Sequence, residues 1–275
     1  MMFHWAKDLY RLILDRPLKP GTILFGRYRI NKMLGMGSYG ITYTALDKDS
    51  EKTVAVKQLR KTKAWTKAGR QFFERETRIH KQLKCPSIPS VHQAGQDKRG
   101  RFIVMDYVSG KTFEDLIFEE GIRYTEVEAL AVLKEVLIII SSFHEKGIVH
   151  RDLRIPNIIS DHGKLHIIDF GLACRLYRKQ EHHNQRKTVN NLMREVSVES
   201  DFYALGHFLL FLLYSNYEPD TKKEKSWEEE LTLSPEVHRL IRRLLQIDES
   251  FRSAVEIIDE ISFLLPENKR EMKTI

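Results

Sequence analysis

Apolar and polar positions alternate over short stretches early in the chain and recur at helical spacing later. Residues 28–34, 41–46, 53–59 and 102–107 cluster or alternate β-formers between glycines, which predicts strands. Residues 71–83 space Phe72, Phe73, Ile79 and Leu83 as an amphipathic helix does, so the predicted order is strand, strand, strand, helix, strand. From Lys111 onward helical periodicity dominates. Residues 124–144 predict a long, largely buried helix stopped by Gly147, and 201–214, 235–245 and 254–265 predict three more. This asymmetry predicts two lobes. The basic stretch 175–194 carries Arg175, Arg178, Lys179, His182, His183, Arg186, Lys187 and Arg194 without a strong period and reads as a loop. Residues 1–14 interleave Phe3, Trp5, Leu9, Tyr10, Leu12 and Ile13 with Lys7, Asp8 and Arg11. They predict a short amphipathic helix packed on the body of the protein, with partner docking or weak membrane-surface contact as the alternatives.

Composition narrows the class. With 275 residues, 42% of them apolar, the chain suits one large two-lobed domain or two modest ones, each able to bury a core. No run approaches the ~18 apolar residues of a membrane span; the longest, 129–140, is broken by Lys134 and Glu135. A net charge of +7 within 30% charged residues of both signs describes a solvated surface, and no nucleic-acid motif accompanies it, so no nucleic-acid partner is expected. Cys85 and Cys174 match neither a metal-ligand spacing nor a disulfide framework, which favours a reducing, cytoplasmic location.

Three segments carry candidate chemistry. Gly35-Met36-Gly37-Ser38-Tyr39-Gly40 lies between two predicted strands, where missing side chains let backbone N–H groups approach phosphate oxygens. A dinucleotide-binding turn would need a helix next, and residues 41–45 have a strand pattern instead. Val54-Ala55-Val56-Lys57 ends a strand on an ammonium that could neutralise phosphate charge, and Glu76 on the following helix could hold that lysine, with Glu74 its nearest rival. His150-Arg151-Asp152-Leu153-Arg154-Ile155-Pro156-Asn157 is followed twelve residues later by Asp169-Phe170-Gly171, after a β-like stretch.

In the order of these elements, residues 28–265 resemble the protein-kinase family. The resemblance implies an α+β, two-lobed protein-kinase fold. An amphipathic extension (1–26) would precede a small β-rich N-lobe with one main helix (27–105), a hinge (106–110), a larger helical C-lobe (111–266) and a tail (267–275). It implies ATP with Mg²⁺, or Mn²⁺, and transfer of the γ-phosphoryl group to serine or threonine hydroxyls of protein substrates, autophosphorylation included. Asp152 would orient the acceptor hydroxyl and take its proton, with Lys57, Glu76 and Arg154 completing the catalytic set; Asn157 and Asp169 would hold the metal. Nucleotide contacts would come from Leu34, Gly35, Met36, Gly37, Ser38, Tyr39, Gly40, Ile41, Thr42, Ala55, Lys57, Met105, Asp106 and Val108. Lys57 and Glu76 are expected within ion-pair distance, and Asp201 is expected to brace the catalytic loop, act as an N-cap, or both.

The chain also departs from the family pattern. Arg154 stands where a lysine is usual and Thr42 where a valine is usual. No Ala-Pro-Glu sequence lies between Gly171 and Asp201, so Arg252 lacks its usual glutamate, for which Glu195 or Glu199 could substitute. Arg151 implies a loop phosphate, with Thr188 and Ser197 as candidate sites. The missing segment keeps two rivals open: a small-molecule kinase of the same fold, and a nucleotide-binding scaffold without activity.

Overall fold

Period-two alternation builds the first of two units, which runs to Lys84 and resumes over Pro89–Val108. The computed structural model describes residues 14–176, 189–218 and 225–265. Strands β1 (Ile23–Leu24), β2 (Tyr28–Met36), β3 (Gly40–Asp47), β4 (Thr53–Leu59), β5 (Val91–Asp97) and β6 (Gly100–Asp106) form one antiparallel sheet in the order β1-β2-β3-β4-β6-β5. Successive side chains leave a strand on opposite faces. Val54, Val56, Phe102 and Val104 therefore bury one face with Tyr28, Ile30, Tyr43 and Ala45. Leu59, Ile103 and Met105 bury the other against Phe73 of a helix. Both faces of β6 are covered, which is why residues 102–105 read as an unbroken apolar run. After β4 come the short helix α1 (Lys61–Ala64) and the main helix α2 (Lys67–His80), which starts where the Thr66 side chain accepts the Gly69 N–H.

The helix lies over 67–80 rather than 71–83 because its start is set by the Thr66 cap. Periodicity along the chain does not predict β5: Val-His-Gln-Ala-Gly-Gln-Asp has little β signal, and its place as an edge strand on β6 comes from tertiary pairing. β1 lies within the expected 1–26 extension yet pairs with β2.

The second unit takes Cys85–Ile88 and continues from Ser109. Its helices are α3 (Glu126–His144), α4 (Val189–Arg194), α5 (Val198–Tyr214), α6 (Trp227–Glu230), α7 (Pro235–Leu244) and α8 (Ala254–Leu264). A Thr125–Glu128 capping box starts α3, and Ser197, Ser234 and Ser253 cap α5, α7 and α8. α5 is apolar on every side and correspondingly buried, with Phe208 edge-on to Phe113 at 5.2 Å. Short strands β7 (Lys111–Thr112), β8 (Ile148–Val149), β9 (Ile158–Asp161), β10 (Lys164–Ile167) and β11 (Cys174–Arg175) carry the loops between them. The β9–β10 hairpin turns on His162 and Gly163, both at positive φ, as a tight two-residue hairpin requires.

The expected loop over 175–194 needs correction at both ends. Cys174–Arg175 pairs with β8, and Val189–Arg194 is helical and packs on α5, a tertiary contact that local periodicity does not encode. Residues 1–13 of the helix expected over 1–14, the basic residues 177–188 with Thr188, and the tail 267–275 lie outside the described residues.

Candidate active site

The first unit supplies a glycine turn and an ion pair. Gly37 N–H donates to the Gly40 carbonyl at 2.8 Å, closing the turn between β2 and β3. A Cβ on Gly40 would meet the Lys57 stem at 3.2 Å and the Gln58 carbonyl at 3.1 Å, so glycine there leaves the lysine its path. Lys57 sits on β4 opposite Thr42, and its Nζ lies 2.5 Å from Glu76 Oε1 on α2. The Glu76 side chain is 4% exposed, which makes this a desolvated pair and fixes the lysine's flexible stem. Glu74, the rival, faces solvent beside Arg101 at 3.3 Å. Ala55 opposes Met105 across β4 and β6, and Ile41 is buried, whereas Leu34 and Met36 are exposed. The Asp106 carboxylate accepts the Ser90 N–H at 2.8 Å and lies 2.7 Å from His92 Nε2.

The second unit supplies the carboxylates. Asp152 follows β8 in a loop whose backbone is held by Asp201: Oδ2 accepts the His150 N–H at 2.8 Å and Oδ1 the Arg151 N–H at 2.7 Å. His144 Nε2 lies 2.8 Å from the same Oδ2. Nothing in the sequence marks His144 for this role, since it ends a helix without any motif. Asp201 is not the helix cap; Ser197 is, and Asp201 lies in the first turn with both oxygens turned to the loop. The bracing expectation stands and the N-cap expectation is replaced.

Around Asp152 the contacts are dense. Asn157 Nδ2 donates to the Asp152 carbonyl at 2.8 Å and to its Oδ2 at 3.0 Å, and Arg154 Nε lies 2.8 Å from Oδ1. With its amide nitrogen used in this way, Asn157 presents its carbonyl oxygen as the remaining polar atom of the group. The Ile168 N–H donates to the Asn157 backbone carbonyl at 3.0 Å, so the residue before Asp169 is tied to the Asp152 loop. Asp169 takes φ +61 and its Oδ1 accepts the Gly171 N–H at 3.0 Å. Asn157 and Asp169, tied through the Ile168 N–H bond, offer an amide oxygen and a carboxylate, hard donors of the kind Mg²⁺ prefers, so their chemistry fits such an ion.

Fully buried His150 organises this layer. Its Nδ1 accepts the Asp152 N–H at 3.3 Å, which leaves the proton on Nε2 for the Ile168 carbonyl at 3.2 Å. Burial lowers its pKa against the pull of Asp201, Asp152 and Asp169, so the ring is neutral. Phe170 packs against it with ring centroids 4.7 Å apart. The Arg151 guanidinium contacts the Arg194 and Leu172 carbonyls. Arg252 is largely exposed and lies 3.4 Å from Glu249, while the Glu199 carbonyl accepts from Gln246. Ser197 is engaged as the α5 cap.

Comparison with known proteins identifies the family. The family model described as "Protein kinase domain" matches residues 28–264. A probable serine/threonine-protein kinase of Bacillus subtilis, YbdM, is 38% identical over 93% of this chain and 96% of its own length. The B. subtilis serine/threonine-protein kinase PrkC is 33% identical over 70% of this chain and 31% of its own. The crystal structure of the Mycobacterium tuberculosis PknI kinase domain superposes with a TM-score of 0.68 at 23% identity, covering 90% of this chain and 98% of that one. Among the described residues no helix is long and apolar enough to cross a membrane.

Proposed function

The chain belongs to the protein kinase family, and on that premise we propose that it transfers the γ-phosphoryl group of ATP to serine or threonine hydroxyls of proteins. The observation that carries the reading is the fixation of Asp152 by Asn157, Arg154 and the Asp201-held backbone. A carboxylate fixed within reach of a hydroxyl aligns that nucleophile and takes its proton as the transfer completes. Arg154, beside Asp152, would contact the transferred group through a planar fork rather than a point charge. Lys57, held by Glu76, would position the nucleotide phosphates, and the N–H groups of the glycine turn would cover them. Ala55, Met105 and the backbone of Asp106 and Val108 would receive adenine.

Asn157 and Asp169 would hold Mg²⁺, or Mn²⁺, which supplies neutralisation of phosphate charge when bound. The acceptors would be proteins, the enzyme itself included, and the two distant cysteines support a cytoplasmic setting.

The test is incubation of the protein and its Asp152→Ala variant with Mg²⁺ and ATP labelled on the γ-phosphate. Label is expected on serine or threonine of a generic basic protein or of the enzyme, falling at least about 10²-fold in the variant. Label confined to small hydroxyl compounds would overturn the protein acceptor. No label despite measurable ATP binding would overturn the catalytic reading.

A further inference from the structure

Ahead of the sheet, Asp15 is 3% exposed and far from the carboxylates described above in sequence. It accepts the Thr62 N–H at 3.0 Å, the Thr62 hydroxyl at 2.6 Å and Arg60 Nε–H at 2.8 Å. Helix α1 has no side-chain cap from its own N-cap residue Arg60, so a carboxylate much earlier in the chain supplies one. Burial pushes the Asp15 carboxyl up, but the bonds from Thr62 and Arg60 outweigh it and hold the group below its usual range.

Arg60 is bound on its other side to the glycine turn. Its backbone N–H donates to the Tyr39 carbonyl at 2.9 Å, and Nη1 donates to the Gly37 carbonyl at 3.2 Å. In a planar trans peptide the next N–H points opposite to the carbonyl, so a Gly37 carbonyl turned to Arg60 directs the Ser38 N–H away from it. The Tyr39 ring stacks on Phe72 of α2 at 4.1 Å and 9°, and Lys63 of α1 lies 5.0 Å over the same ring. The helix that Asp15 caps therefore also supplies a support for the turn.

We propose that Asp15 and Arg60 are positioning residues for nucleotide binding: the Asp15 carboxylate aims the Arg60 guanidinium at Gly37, and Arg60 holds the Gly37–Ser38 peptide with its N–H presented to phosphate. The tether follows from the first unit alone; its consequence for ATP rests on the kinase reading. Without Asp15 the long arginine stem samples many rotamers, and the turn loses a charge-assisted bond.

Arg60→Met, Asp15→Asn and the double variant test this in the full chain. Amide exchange over residues 35–40, measured without nucleotide, should be about three- to tenfold faster in each. The dissociation constant and KM for ATP with Mg²⁺ should rise by a similar factor, with kcat at saturating ATP little changed. The double variant should be no worse than Arg60→Met. Unchanged exchange in Arg60→Met, or additive effects in the double variant, would overturn the proposal, as would a fall in kcat at unchanged KM. If Asp15→Asn does not fold, Arg60→Met decides alone, because it leaves Asp15 on Thr62. Faster exchange in a protein that binds no ATP even as wild type would support the tether and refute the kinase reading.

Discussion

Asp201 Oδ1 accepts the backbone N–H of Arg151 at 2.7 Å across fifty residues of chain. The bond holds Arg151 at φ +66, a conformation that costs a non-glycine residue of order 1–3 kcal/mol and persists only where the surroundings impose it. The same carboxylate takes the His150 N–H, so two backbone donors next to the catalytic candidate Asp152 depend on one side chain.

Asp201→Ala should therefore lower the stability of the fold by about 3 kcal/mol or more, since both N–H groups lose their acceptor in a buried site. Urea unfolding checks this. A midpoint equal to wild type would show that the loop is held by other contacts.

Lys57→Met leaves the Glu76 carboxylate buried beside an apolar side chain. Phosphotransfer should drop at least about 10²-fold through lost charge stabilisation, and stability should drop as well. Adding Glu76→Gln to that variant should restore most of the stability without restoring activity. Thermal unfolding and phosphate incorporation on the two variants separate these effects, and recovery of both together would argue against a role for Lys57 on phosphate.

Acidification should weaken the fold through histidines kept neutral by burial. His207 on α5 packs on Tyr203 and has a buried Nε2 without a hydrogen-bond partner among the described residues; burial lowers its pKa, as it does for His150 and His166. Below the unfolded histidine pKa of about 6.5 the unfolded chain binds protons that the folded chain refuses. Stability is then full above that pH and falls as pH drops through the lowered folded values. Denaturation midpoints between pH 7.5 and 5 should show this slope, and His207→Leu should make it shallower. An identical slope in that variant would remove His207 from the account.

Gly110 precedes β7 and approaches β9 so closely that an added Cβ would lie 2.1 Å from the Ser160 carbonyl oxygen. Gly110→Ala should force the β7–β9 pairing apart and cost about 1–3 kcal/mol. Amide exchange at Lys111 and Thr112 should rise with it, and unchanged protection there would show that the strands yield without parting.

Local chemistry makes much of this protein legible in its sequence. Lys57, Asp152, Asn157 and Asp169 sit at fixed spacings in short motifs, and strands β2, β3, β4 and β6 follow from dense β-formers between glycines. Glu76 was readable as the lysine's partner only together with a rival, because Glu74 lies on the same helix; helix rotation decides which carboxylate turns inward. β5 and α4 were not legible. Their residues have weak local preference, and each is ordered by its neighbour.

Residue type and spacing along one strand, loop or helix face place the glycine turn and the order of the catalytic candidates, and the kinase fold follows from the resemblance those motifs carry. Packing in three dimensions sets Asp201 on the Asp152 loop rather than on its own helix end, brings His144 to it, and lets Asp15 reach Arg60 and through it Gly37. Hydrogen bonds between residues dozens of positions apart depend on how packed elements meet, and no periodicity along the chain records that meeting.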